Sequence, residues 1–256
     1  MNMRVTRQQM EQMICYEDAE VIVVHKPPFL AVETRDLRQQ DLVSLLKNRR
    51  VAKGEPAFIG IVHRLDQPVE GLLVLAKTKE AAARLSEGLR KGDFAKEYLA
   101  VVSGVTEESG TLIHTLKKDG KTNTSAVVAK GTAGGKEARL CYERLAVMDE
   151  KSLVRIRLET GRHHQIRVQF SAAGHPLVGD AKYGDNVYAC RDEIAKKAKK
   201  DDKTGISCGA RTDGMKQPLA LCSCRLVFAH PCTGEEMEFH TTPTGAGFDE
   251  WKKALG

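Results

Sequence analysis

The chain has 256 residues, 41% hydrophobic and 29% charged, which suits a soluble globular protein of one large domain or two lobes around a shared core. A formal net charge of +6 and a pI of about 8.9 permit an anionic partner, with nucleic acid the first candidate. No apolar h-region opens the chain and no window approaches the roughly 18 uninterrupted apolar residues of a membrane span, so neither secretion nor membrane insertion is expected. The seven cysteines are odd in number and lack a small-domain disulfide spacing, and they read as reduced thiols of a cytoplasmic protein.

Residues 1–15 read as an N-terminal extension, and residues 16–256 as the body of the protein. "EVIVVHKPPFLAVE" predicts a strand over the β-branched run from Val21 to Val24, a Pro27-Pro28 turn and a second short strand. "DLVSLLKNRRVAKG" predicts a helix with Leu42, Leu45 and Leu46 as its apolar stripe. "LLVLAKT" predicts a strand buried on both faces, and "KEAAARLSEGLRKGD" a helix with Thr78 as N-cap. In "AKEYLAVVSG" strand alternation puts Tyr98, Ala100 and Val102 on one face and Glu97, Leu99 and Val101 on the other. Residues 106–136 read as hairpins and loops, followed by an antiparallel pair around Asp149-Glu150. "HHQIRVQFSAAG" predicts a helix stopped by Gly174. A charged excursion at about 186–216 breaks the pattern, and "PLALCSCRLVFAHP" and "EEMEFHTTP" restore strands. Many strands with three or four helices point to an α+β fold.

Two stretches carry candidate chemistry. In "IVHRLDQPVEGLLVLAKT", Asp66 lies in a loop punctuated by Pro68 and Gly71, just before a buried strand. Such a carboxylate can serve as nucleophile, base or metal ligand, or can simply cap local amides. "ETGRHHQIRVQF" packs Arg162, His163, His164, Gln165 and Arg167 into six residues. Adjacent histidines point in different directions and suit a shared metal poorly, so a structural or RNA-contacting role fits better. Arg167 offers a planar donor fork for a buried carboxylate. Cys222, Cys224 and Cys232 lie near His230 and His240, but the C-x-C spacing is atypical of zinc and alternation puts Cys222 and Cys224 on a core face. No metal or cofactor is expected.

HRLD followed by Gly71-Leu72-Leu73 resembles the catalytic motif of pseudouridine synthases of the RluA type, whose usual form is HRLDxxTSGLL. Four further segments follow in the family's order: "VVHKPPFLAV", "KEYLAVVSG", "TGRHHQIRVQF" and "GHPLVGDAKYG". The closing "LVFAHPCTGEEMEF" resembles the family's last strands, so the likeness runs over about residues 16–243. Two positions depart from the pattern. Val69-Glu70 replaces Thr-Ser, which puts a second carboxylate close to Asp66 in sequence, and Gln169 replaces a histidine.

The resemblance implies a mixed, mainly antiparallel sheet in two halves around a central catalytic cleft, and isomerisation of uridine to pseudouridine without a cofactor. It implies Asp66 as nucleophile, attacking either the uracil ring or the sugar C1′, or acting through a glycal. It implies Arg167 as the ion-pair partner of Asp66, and Tyr98 as a ring against the target base. Arg64 is implied to displace the nucleotide or fill its place. His63, Arg162, Leu72 and Ile166 complete the expected substrate contacts, with loop support the main expectation for His63 and core packing for the two aliphatics. Ribosomal RNA is the leading substrate and transfer RNA the alternative. A catalytically inactive RNA-binding or assembly protein is the competing reading, and the intact Asp66, Tyr98 and Arg167 weigh against it. Many relatives carry an N-terminal S4-like domain. Only about 15 residues precede the first motif here, so this catalytic domain is expected to find RNA by itself, as a monomer, or through a partner.

Overall fold

The computed structural model describes residues 4–36, 38–184 and 218–255. The charged excursion at 186–216, with Cys190 and Cys208, lies outside the described residues. Among the described residues, eleven strands form one sheet: β1 (Ile14–Glu17), β2 (Val21–Lys26), β3 (Gly60–Ile61), β4 (Glu70–Ala76), β5 (Ala95–Ser103), β6 (Ser109–Asp119), β7 (Thr124–Val128), β8 (Lys136–Met148), β9 (Lys151–Leu158), β10 (Leu221–Ala229) and β11 (Glu236–His240). Their order is β1-β2-β4-β10-β5-β9-β8-β6-β7, with β3 added to β4 and β11 to β10. Every pairing is antiparallel except β4–β10, which is parallel and joins the two halves through Glu70 and Gly71 against Cys222 and Ser223. The fold is therefore α+β with a mixed, mainly antiparallel sheet.

Gly71 makes that junction possible. Its φ is +119°, and a Cβ there would lie 2.3 Å from the Ser223 carbonyl oxygen. Only glycine tolerates both the backbone conformation and the close approach.

Strand alternation separates two faces. Along β5, Tyr98, Ala100 and Val102 enter the main core, while Leu99 and Val101 pack with Phe248 and Trp251 on the opposite face. Helix α2 (Leu42–Ala52) is capped by Asp41, which accepts from the Ser44 amide, and it sends Leu42, Val43 and Leu46 into the main core. Helix α3 (Lys79–Lys91), capped by Thr78 and closed by left-handed Gly92, covers the other face with Ala81 and Leu85. Helix α4 (Gln165–Ala172) packs on the first face, where the Gln169 amide donates to the carbonyls of Leu112 and Ala138. The β8–β9 hairpin turns at Asp149 and Glu150, with φ +47° and +54°, as two-residue turns with two left-handed positions do.

One expectation changes. The second strand after Pro27-Pro28 is only a bridge between Ala31 and Asp41, because the chain turns instead to wrap Lys26. The N-terminal segment packs against the body of the protein. Helix α1 (Arg7–Gln12) brings Met10 into the core beside Val5 and Met13, and Arg49 pins it by an ion pair to Glu11 while also pairing with Glu17 at the end of β1. Among the described residues no helix is long and apolar enough to cross a membrane.

Candidate active site

The loop of residues 62–69 between β3 and β4 carries Asp66 into a cleft on the main-core face. Its shape is set locally: the Val69 amide donates to the Asp66 carbonyl, closing a turn through Gln67 and Pro68. Lys26 holds the loop from beneath. Its side chain is fully buried, and its ammonium donates to the carbonyls of Pro27 at 2.9 Å, Leu30 at 2.8 Å and Gln67 at 3.3 Å. Burial pushes the Lys26 pKa down to about 7, with Asp66 and then Glu70 opposing the shift. The lysine thus fixes the residue next to Asp66 to the end of β2.

Arg167 projects from α4 and is 4% exposed. Its Nη1 donates to Asp66 Oδ2 at 3.0 Å, while Nε and Nη2 each donate to Asp180 at 2.7 Å. Asp180 also accepts from the amides of Lys182 and Tyr183, so its buried charge is fully hydrogen-bonded. The Asp180 segment is brought in by the Val102–Leu177 bridge and by the Val178 amide bonding to Val101. The Arg167 guanidinium also lies over the Tyr183 ring, 5.1 Å from its centroid.

His164 is the second neighbour of Asp66, with Nε2 at 3.4 Å from Oδ2. It reaches that position because it precedes α4 in a left-handed conformation, φ +54°. Its ring stacks on His163 with centroids 3.7 Å apart, and its Nδ1 lies 2.7 Å from the Tyr183 hydroxyl. Because that hydroxyl accepts from the Ser125 amide, its own proton is free to go to Nδ1. Burial pushes His164 down to about 4, so the ring is neutral near pH 7. Both side-chain contacts to Asp66 fall on Oδ2, and Oδ1 has no protein partner among the described residues.

Tyr98, Arg64, Arg162 and Ile166 line the same cleft. Tyr98 is 6% exposed, and burial raises its phenol further above its ordinary range, so it presents a neutral hydroxyl. Arg64 is exposed at the rim and pairs with Glu33 at 3.1 Å, and Arg162 bonds the Glu137 carbonyl through Nε.

Leu72 and His63 are not among the residues lining this cleft. Leu72 is fully buried and packs with Val21, Val74 and Leu85 on the opposite face, because β4 alternates and Leu73 takes the cleft-side position. His63 accepts from the Val74 amide at 3.4 Å and meets Phe94 edge-on, which is the loop support expected of it. Burial pushes His63 down to about 3, so it stays neutral. Glu70 likewise turns away from Asp66. It accepts from the amides of Thr244 and Gly245 and from the Thr244 hydroxyl, anchoring the segment after β11. Among the described residues, His25, Glu70 and Cys222 alone bring three ligand-type atoms within 4.8 Å of one another, and the Glu70 carboxylate there is already engaged.

Comparison with known proteins gives a concordant picture. The family model described as RNA pseudouridylate synthase matches residues 20–172. Ribosomal large subunit pseudouridine synthase D of Vibrio cholerae serotype O1 is 37% identical over 228 residues, covering 89% of this chain and 66% of that protein. The Haemophilus influenzae protein of the same name is 35% identical over 243 residues, covering 94% of this chain and 70% of that protein. The chain therefore spans about two thirds of the length of these relatives. Among solved structures, human RNA pseudouridylate synthase domain containing 4 superposes with a TM-score of 0.68 at 22% identity, covering 93% of this chain and 91% of that one, a likeness of fold.

Proposed function

The chain belongs to the RNA pseudouridylate synthase family, and on that premise we propose that it isomerises uridine to pseudouridine in RNA, with Asp66 as the nucleophile. The observation that carries this reading is the Asp66 carboxylate itself, clamped through Oδ2 by Arg167 and His164 with Oδ1 left for substrate. In the reaction the C1′–N1 bond breaks and a C1′–C5 bond forms. The C5 proton leaves, N1 gains a proton, and no electrons are exchanged. Nothing in that balance calls for a cofactor.

Each group has a role that follows from its position. Arg167 and the neutral His164 orient Asp66, so the attacking carboxylate need not reorganise during the reaction. Tyr98 gives the base a flat wall and a neutral hydroxyl within the cleft. Arg64, long and exposed at the rim, is placed to fill the stack from which the target nucleotide is drawn. Its pair with Glu33 is surface-exposed and therefore weak enough to yield to a phosphate.

Ribosomal RNA is the substrate class this reading favours, because the curated relatives carry ribosomal names. Residues 16–256 would then make up the catalytic domain, acting as a cytoplasmic monomer. Pseudouridine mapping of total RNA from cells with and without the gene tests the reading. It should reveal at least one ribosomal uridine modified only when the gene is present. A lost site in transfer RNA would redirect the substrate, and no lost site anywhere would favour an inactive RNA-binding protein.

A further inference from the structure

Phe29 combines three features that its packing does not explain. Its backbone has φ +67°, its side chain is 45% exposed, and it sits against the catalytic loop. Pro28 and Phe29 form a turn, and proline fixes φ near about −65° at the preceding position, so the turn is of type II. The second central position of that turn belongs to glycine or asparagine, and a bulky residue there is a genuine outlier. Single exposed apolar residues are ordinary, but one held in a costly backbone conformation while leaving nearly half its surface in solvent gains little from the core.

The turn is fixed relative to Asp66. Gln67, the residue after Asp66, donates from Nε2 to the Phe29 carbonyl at 3.1 Å. Lys26 ties the carbonyls on either side of the turn, Pro27 and Leu30, to that of Gln67. Four residues beyond Phe29, Glu33 pairs with Arg64, so the segment from 29 to 33 runs along both flanks of the catalytic aspartate. Leu30, by contrast, is 1% exposed and plugs into the main core, which leaves the neighbouring ring outside.

We propose that Phe29 is a stacking site for an unpaired RNA base flanking the target uridine, which makes the turn a substrate-selecting element beside the cleft. Any base offers a π-face to such a ring, and stacking on an exposed aromatic is strong enough to govern affinity while tolerating sequence. The site prefers a target whose neighbour is already unstacked, as in a loop or bulge. This inference rests on the RNA-modifying reading above, and the test separates the two.

The test uses the full chain carrying Asp66→Asn, so that binding is measured without turnover. Short single-stranded oligouridines with 2-aminopurine at one position beside a central uridine report stacking by fluorescence quenching. We expect quenching at one flanking position in the parent. Phe29→Gly should abolish it and weaken affinity roughly tenfold, while leaving the melting temperature equal or higher, since glycine relieves the turn. Phe29→Trp should keep both quenching and affinity. Unchanged affinity and quenching in Phe29→Gly would overturn the proposal even if the wild-type protein makes pseudouridine. Failure of the wild-type protein to make pseudouridine, with quenching still lost in Phe29→Gly, would sink the catalytic reading and leave the base site standing. No binding by any form would remove both.

Discussion

Replacing Arg167 by lysine keeps the charge and removes the fork, and so tests whether geometry or charge holds the site together. The guanidinium makes three charge-assisted hydrogen bonds, two at 2.7 Å to Asp180 and one at 3.0 Å to Asp66. A lysine has one nitrogen on a stem that cannot lie between both carboxylates in the same plane. At about 1.5–3 kcal/mol for each bond to a charged group, losing two gives a gross cost of roughly 3–6 kcal/mol. Water entry and the new ammonium contacts offset part of it, leaving about 3 kcal/mol. For a chain of this size that lowers the melting temperature by roughly 6–12 °C. The chemical step should fall by about 100-fold or more, because a carboxylate misplaced by about 1 Å loses its attack geometry. Thermal unfolding gives the first number, and single-turnover rates at saturating RNA and a permissive temperature give the second. An Arg167→Lys protein within about 1 kcal/mol of wild-type stability, with more than half its rate, would refute the argument that the fork positions Asp66.

Three other perturbations follow from the same geometry. Gly71→Ala should cost about 3 kcal/mol or more by urea denaturation, because the new Cβ meets the Ser223 backbone at an unfavourable φ, and near-wild-type stability would contradict the account of the β4–β10 junction. The His164 ring takes up its proton near pH 6.5 when unfolded and near 4 when folded, so stability is complete above 6.5 and drains as pH falls. Urea titrations should show a loss of about 1.5 kcal/mol from this group between about pH 6.5 and 5, and His164→Gln should flatten that segment of the profile. Arg64→Ala should lose most turnover on a uridine stacked in a helix and least on one already unpaired, and equal losses on the two substrates would remove its part in displacing the nucleotide.

What the sequence made legible were the features with local causes. The alternation in β5 sends Tyr98 and Leu99 to opposite faces. Asp41 and Thr78 cap their helices as their residue types suggest, and the motif order carried Asp66, Arg64 and Arg167 to one cleft. Features set by long-range contacts were not legible. Asp180 carries no periodic or capping signal, and its importance comes from Arg167, which reaches it from another element. His164 looked like the first turn of a helix, but the chain takes a left-handed step there before α4 begins. That step turns a histidine read as structural or RNA-contacting into a direct neighbour of the Asp66 carboxylate. Lys26 carries no local signal of burial, and only the carbonyls of the turn and of Gln67 explain it. Leu72 lies close to Asp66 in the motif, but the two-residue period of β4 puts it on the far face, in the core.

The most direct test of the central claim is the turnover of Asp66→Asn. Asparagine preserves the size of the side chain and can still accept from Arg167, so the protein should fold and bind RNA. It cannot supply a carboxylate to attack the nucleotide. Tritium release from RNA labelled at uridine C5, measured under single-turnover conditions on the RNA identified by mapping, should fall by several orders of magnitude. A well-folded Asp66→Asn protein that keeps more than about a tenth of the wild-type rate would contradict the assignment of Asp66 as the nucleophile.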